Sequence, residues 1–162
     1  MASDRVTLLA NALAGRGLHV VFDGLPAEVE RAVRPALSVA LAIVPRWARE
    51  VRVKWDDANN EHEANVHASA AYRSCCISVC PAFIALAPRE REQVLMHELV
   101  HLHVSPLHTA ALDALHALSD EGSGERALAE SSLDAALETV VEDLTMLCRD
   151  LLDGDTEPVE FP

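Results

Sequence analysis

Apolar residues recur with two different periods along the chain and so indicate two kinds of element. Val51, Val53 and Trp55 alternate with polar residues, which is the period of a half-buried strand. From Pro88 to Leu102, and again from Glu125 to Leu152, apolar residues recur every three or four positions, as on an amphipathic helix. Short strands combined with long helices predict the α+β class.

The first half of the chain contains the predicted strands and two predicted helices. Helical patterns cover residues 4–14 and about 26–49. The second of these is interrupted near Pro45, and Pro35 is expected either to kink it or to divide it into two shorter helices. Strand patterns cover residues 18–22, 51–55, 64–73 and 76–79, and the last two are a candidate hairpin.

Prolines and a polar loop divide the second half. Pro88 suits the first position of a helix, whereas Pro106 is expected to end that helix because its ring removes a backbone donor. A further helix is predicted over 109–118 and a polar loop over 119–124. The last helix is expected to bury one stripe of apolar side chains: Leu133, Leu137, Val140, Val141, Leu144, Leu147 and Leu151.

The length of 162 residues and a hydrophobic content of 50% suit one domain with its own core, which we place at residues 1–152. Within it, residues 1–49 contribute helices and a strand, and 50–152 form the core region with the candidate chemistry. Residues 153–162 are predicted to be an acidic, flexible tail. No apolar run reaches about 18 residues and the first residues lack a secretory pattern, so we expect a cytoplasmic protein without a membrane partner.

The formal net charge of −13 argues against a nucleic-acid partner, because this field repels phosphates. It would attract divalent cations and basic peptide segments, although an acidic surface also serves solubility alone. The four cysteines, Cys75, Cys76, Cys80 and Cys148, include no C-x-x-C pair. We therefore expect buried, reduced thiols, with a second zinc site through Cys80 as the weaker alternative.

The strongest chemical signal is the segment His97-Glu98-Leu99-Val100-His101. Residues four apart lie on one face of a helix, so His97 and His101 can both reach a single Zn²⁺ at about 2.0–2.1 Å. Glu98 would then lie close enough to a water molecule at the metal to accept its proton. The pattern predicts a zinc site with Glu98 as the catalytic base.

A hydrolytic zinc ion needs a third protein ligand. Glu138 on the last helix is our candidate, and Glu142 follows one turn later on the same side, where it can hydrogen-bond a ligating imidazole. Two alternatives remain: Glu142 is itself the ligand, or both glutamates face solvent.

Other histidines fit a third ligand less well. Val104 and Leu107 occupy the positions where a metzincin carries glycine and histidine. His116 has the spacing seen in SprT-type zinc proteins, but the glycine and aromatic residue that usually follow are missing, so it is a weaker alternative. His103 is expected on the side of the helix away from the metal.

Beyond the five-residue motif, the chain resembles the gluzincins, which are zincin metallopeptidases that pair an HExxH helix with a glutamate from a later helix. The segment from Glu138 to Glu142 is similar to the family's glutamate followed by an acidic residue four places on, with Glu in place of the more usual Asp. The resemblance spans about residues 50–145 and is greatest to the minimal, single-domain gluzincins. It implies a zincin-like domain in which a small mixed sheet packs on the HExxH helix and a C-terminal helix bears the third ligand.

The resemblance also implies a zinc-dependent peptidase that hydrolyses peptide bonds in a peptide or protein substrate. Family members often hold substrate along a strand edge, for which Ala68–Tyr72 and Cys76–Val79 are candidates. Tyr72, His108 and His116 are candidate oxyanion donors. One alternative is an inactive zincin-fold binding module, although the presence of Glu98 favours an enzyme. Another is a structural zinc site closed by Cys148 or His116. No pattern predicts an oligomeric state.

Overall fold

The computed structural model describes residues 17–58, 62–69 and 73–154. The predicted helix over 4–14, most of the predicted tail and Tyr72 lie outside the described residues. The described elements are β1 (His19–Asp23), α1 (Ala27–Ala40), a 3-10 turn (Leu41–Ile43), β2 (Glu50–Trp55), β3 (Ala64–Ser69), β4 (Ser74–Val79), α2 (Pro81–Ala85), α3 (Pro88–Leu118) and α4 (Gly124–Asp153). None of these helices is long and apolar enough to cross a membrane. The mixed helical and strand content confirms the α+β class.

The four strands form one mixed sheet in the order β1-β2-β4-β3. β1 pairs with β2 and β2 with β4 in parallel, while β3 and β4 are antiparallel. The predicted hairpin is therefore confirmed. Its first strand ends at Ser69, earlier than predicted, and its second begins at Ser74, two residues before the predicted start. This order leaves β3 at one edge of the described sheet and encloses β4 between two neighbours.

One face of the sheet is apolar and the other is polar, as the alternating pattern predicts. On the two central strands the buried side chains are Val51, Val53, Cys75, Ile77 and Val79. The register places Val51 opposite Cys75 and Val53 opposite Ile77, so the apolar residues of both strands share a face. Polar residues such as Arg52 and Lys54 lie on the opposite face. The apolar face supplies most of this sheet's contribution to the core.

Helix α1 is continuous through Pro35 and so is not divided into two helices. Its buried residues are Val29, Val33, Ala36, Leu37 and Ala40, the spacing of one helical face. Pro35 lies on the exposed side. The ring therefore removes one backbone hydrogen bond without disturbing the buried face.

The described residues up to Leu102 form one compact unit, and those from His103 onward form a second. The first contains the sheet, α1, α2 and the start of α3. The second consists of the rest of α3 and the whole of α4, and a short loop joins these two helices. One domain over residues 1–152 remains a prediction.

The prediction that Pro106 ends the helix is wrong, because α3 runs unbroken from Pro88 to Leu118 and includes the separately predicted helix over 109–118. Proline has a backbone angle compatible with a helix, and its cost is the missing donor to the carbonyl four residues earlier, that of Leu102. The twelve residues after Pro106 include four alanines and four leucines, which are strong helix formers. The helix therefore continues despite the lost bond.

The expected buried stripe of α4 is wrong for three of its seven residues, and three more, Leu133, Leu137 and Leu144, are only half-buried. Val141 is fully buried, but Val140, Leu147 and Leu151 are 47%, 51% and 59% exposed. Thr145, which the apolar pattern omitted, is fully buried and donates its hydroxyl to the Val141 carbonyl at 2.7 Å. Periodicity identifies the apolar side of a helix but cannot show whether another element covers it.

Replacing Pro106 with alanine should stabilise the protein, because alanine restores the amide that can donate to the Leu102 carbonyl. We expect a gain of about 1–3 kcal/mol in the free energy of unfolding, after allowing for the extra freedom of the unfolded chain. Thermal unfolding followed by circular dichroism would measure it. Pro88→Ala, at the first helical position where no such bond is lost, is the matched control and should change stability little. An unchanged or lower midpoint for Pro106→Ala would contradict the argument.

Candidate metal centre

The start of helix α3 is held firmly two turns before the histidine motif. As predicted, the helix begins at Pro88. The Ala87 amide donates to the Glu90 carboxylate at 2.7 Å, which satisfies a backbone donor at the helix start. The Arg91 guanidinium donates to the Phe83 carbonyl at 3.2 Å and so ties α3 to the end of α2.

The motif lies along a helix whose other side is buried. Leu95, Met96, Leu99, Val100 and Leu102 are at most 3% exposed. His97, Glu98 and His101 are half-buried. Burial of the neighbouring apolar residues fixes the orientation of the helix, so the histidine side chains have little freedom to diverge.

His97 and His101 converge on one point. Their Nε2 atoms are 3.2 Å apart, and the two rings lie edge to face with centroids 4.8 Å apart. Two nitrogens at 2.0–2.1 Å from a tetrahedral ion would be about 3.3–3.4 Å apart. The pair therefore already has nearly the spacing needed to bind one metal ion.

Glu138 on α4 lies close to these two histidines. In the part of the chain that the structure describes, the single group of histidine, cysteine and acidic residues able to hold a metal is His97, His101 and Glu138. Their candidate ligand atoms all lie within 4.8 Å of one another, with both histidines half-buried and Glu138 exposed. The three predicted ligands are thus brought together, and this group could hold a metal ion.

The buried Cys80 thiol is subject to the negative charge of several carboxylates, including that of Glu98. Burial is the main cause that raises the pKa of Cys80, and the negative charges of Asp56, Glu98 and Glu63 raise it further. The thiol is therefore held in its protonated form. The metal-binding group among the described residues contains no cysteine, so nothing in these ranges supports the second zinc site through Cys80.

The other cysteines have the properties expected of reduced thiols. All four are free. Burial raises the pKa of Cys75 to about 11 and also raises the pKa values of Cys76 and Cys148. Cys148, a predicted alternative ligand, is not part of the described metal-binding group.

The remaining candidate histidines of the second unit contact carboxylates instead. The His108 Nε2 is 2.9 Å from the Asp134 Oδ1, and the His116 Nε2 is 2.8 Å from the Glu130 Oε1. His103 is exposed, as expected. Sequence reasoning missed both ion pairs. In each pair, one residue precedes residue 121 of the predicted loop by nearly as many positions as the other follows it. Two antiparallel helices joined by this loop would bring such residues together, so the spacing could have predicted both pairs.

Glu142, the predicted partner of a ligating imidazole, is exposed one turn after Glu138. Within the described ranges it is not a member of the metal-binding group, so Glu138 is favoured over it as the third ligand. The role of Glu142 as a hydrogen-bonding partner remains a prediction, as does the catalytic role of Glu98.

No family model, curated protein or solved structure matches the chain. The interpretation of the site consequently rests on its own residues and geometry.

The group predicts one metal ion per chain, which can be tested with zinc. Glu138→Gln should lower zinc affinity at least about tenfold, because even residues that only hydrogen-bond to a metal ligand contribute that much. Zinc content after dialysis, measured by plasma mass spectrometry, would test this. Asp143→Asn, which removes another exposed carboxylate from α4, is the matched control and should retain zinc. Loss of zinc in Glu142→Gln but not in Glu138→Gln would assign the ligand to Glu142.

The ion pairs of Glu130 predict a dependence of stability on pH. Hydrogen bonds from Arg126 and then His116 lower the pKa of Glu130 below its ordinary value of 4.5. Since the folded state favours the charged carboxylate, this stabilisation is complete above about pH 4.5 and is lost as the pH falls through the lowered pKa. The unfolding midpoint of Glu130→Gln should therefore be lower than that of wild type at pH 6, and the difference should shrink as the pH falls progressively below 4.5. A difference independent of pH would contradict this assignment.

Proposed function

We propose that the protein is a zinc-dependent peptidase of the gluzincin type, with a zincin-like fold. The observation that carries the proposal is the group of His97, His101 and Glu138, with Glu98 next to the first ligand. Three protein ligands leave one position of a tetrahedral ion open, as catalytic zinc sites require and structural sites do not. His97, Glu98 and His101 are half-buried, which is consistent with a site that is partly enclosed by the protein.

The donor set favours zinc among the common metals. Two imidazole nitrogens and one carboxylate oxygen match the ligands of hydrolytic zinc sites. Magnesium and calcium prefer sites made of oxygen ligands, so the two imidazoles argue against them.

When bound, zinc acts as a Lewis acid that polarises the scissile carbonyl and acidifies water. In the proposed reaction Glu98 accepts a proton from the attacking water and then transfers it to the leaving amine. His97 and His101 present neutral Nε2 atoms, which requires the proton of each ring to be on Nδ1. We propose that Glu142 accepts a hydrogen bond from one of these rings and so stabilises that tautomer.

The sheet order narrows the choice of substrate-binding strand. Cys76–Val79 was one candidate, but this segment lies in β4, whose two sides already pair with β2 and β3. That assignment is wrong, because no unpaired backbone edge remains there. The other candidate, Ala68–Tyr72, begins in β3, an edge strand, and its residues 70–72 lie outside the described residues. We propose that an extended peptide or protein substrate pairs along β3. Ala68 is exposed and small, which would allow a close approach.

Glu98→Gln should abolish peptide hydrolysis while leaving zinc content and helical content unchanged, because the amide cannot accept the proton. We expect a loss of about 100- to 10,000-fold. Cleavage of a peptide mixture derived from a whole proteome, followed by mass spectrometry, measures activity without assuming a sequence preference. Glu92→Gln, a half-buried glutamate earlier on the same helix, is the matched control and should remain active.

Two outcomes would change the conclusion. Retained activity in Glu98→Gln would exclude Glu98 as the base. A zinc-loaded wild-type protein that cleaves no peptide in the mixture would favour the alternative function, a zincin-fold protein that binds a partner without hydrolysis.

A further inference from the structure

The second compact unit exposes several large apolar side chains. Eight large hydrophobic residues of the described chain are exposed, and all but Val20 belong to residues 103–154. Leu107 on α3 is 76% exposed. Contiguous apolar patches on a protein surface are typical of binding sites.

Part of this surface forms a groove between the two helices of the unit. The groove has a volume of about 180 Å³, and its walls include Val104, Leu107 and Ala111 of α3 and Leu133, Leu137 and Val140 of α4. The imidazole of His108, which also lines the groove, is engaged with Asp134 at 2.9 Å. The walls therefore offer an almost wholly apolar surface to a ligand.

The apolar surface continues along α4 with the spacing of a coiled-coil seam. We define the seam by residues that alternate at intervals of four and three: Leu133, Leu137, Val140, Leu144, Leu147 and Leu151. Such a heptad pattern over about three repeats packs against another helix. The exposure of Val140, Leu147 and Leu151 shows that much of the seam is not covered within the described chain.

Charge selects among the helices that could cover it. Residues 103–154 include eleven aspartates and glutamates, two arginines and no lysine. Asp143 and Asp150 are exposed, and each follows a seam residue, Val140 or Leu147, by three positions, so both flank the seam. A second copy of this chain would bring the same negative charge to the interface, whereas a basic helix would be attracted.

We propose that the groove and the seam bind a basic amphipathic helix of another protein. Its apolar side chains occupy the groove and the seam, and its lysines or arginines lie beside Asp143 and Asp150. This is helix-in-groove recognition, with charge selecting the partner. The proposal is independent of the peptidase activity, since the groove contains none of the proposed zinc ligands.

Binding can be tested with the 162-residue chain and a fluorescently labelled synthetic peptide of about five helical turns. The probe has leucine at the two core positions of each heptad and lysine elsewhere. A second peptide has the same composition in a scrambled order, and a third has glutamate in place of lysine. Fluorescence anisotropy at about 0.15 M salt should show binding of the first probe and at least roughly tenfold weaker binding of both others.

Variants locate the surface. Leu107→Ser with Val140→Ser should weaken binding of the leucine–lysine probe at least about tenfold, a change measurable by the same titration. Leu128→Ser is the matched control, because Leu128 is 70% exposed but lies off the seam. Asp143→Asn with Asp150→Asn should weaken binding and reduce its dependence on salt. All these positions are exposed, and circular dichroism would verify that the fold is retained.

Three results would overturn the proposal. Equal binding of the scrambled peptide would show only general attraction to an acidic protein. Unchanged binding by the Leu107→Ser and Val140→Ser double variant would place the probe elsewhere. A dimer seen by sedimentation equilibrium and abolished by that double variant would make a second copy of this chain the occupant.

Discussion

The spacing of four residues along α3 is the constraint on which the candidate site depends. It places His97 and His101 on the same face, and the helix converts this into a separation of 3.2 Å between their Nε2 atoms. The spacing is useful only while the helix stays regular and fixed. Buried residues such as Leu95 and Leu99 and the hydrogen bonds of Arg91 provide that rigidity.

Two helices of this protein continue through a proline although each loses a backbone hydrogen bond there. Pro88 costs little, because the first helical position has no bond to lose. Pro35 and Pro106 each remove a bond within a helix, yet both helices continue. In α3 the strong helix formers that follow Pro106, four alanines and four leucines within residues 107–118, outweigh the one missing donor.

Helix α4 has two different surfaces, which lie on different sides of its axis. Glu138, Val141 and Thr145 are spaced by three and four residues and so lie on one side, where the last two are fully buried. The leucine-rich seam lies on another side and remains substantially exposed. One helix can therefore place a carboxylate in the candidate metal centre and also present an apolar surface to a partner, because the two faces do not overlap.

The sequence by itself determined the features that depend on neighbouring residues: the strand alternation around Val53, the helix start at Pro88 and the shared face of His97 and His101. These follow from backbone geometry over one or two turns. Only the tertiary structure decided that β3 is an edge strand, that Glu138 lies close to the two histidines and that half of the α4 seam residues stay exposed among the described residues. Each of these depends on contacts between segments far apart in the chain, which a local periodicity does not encode.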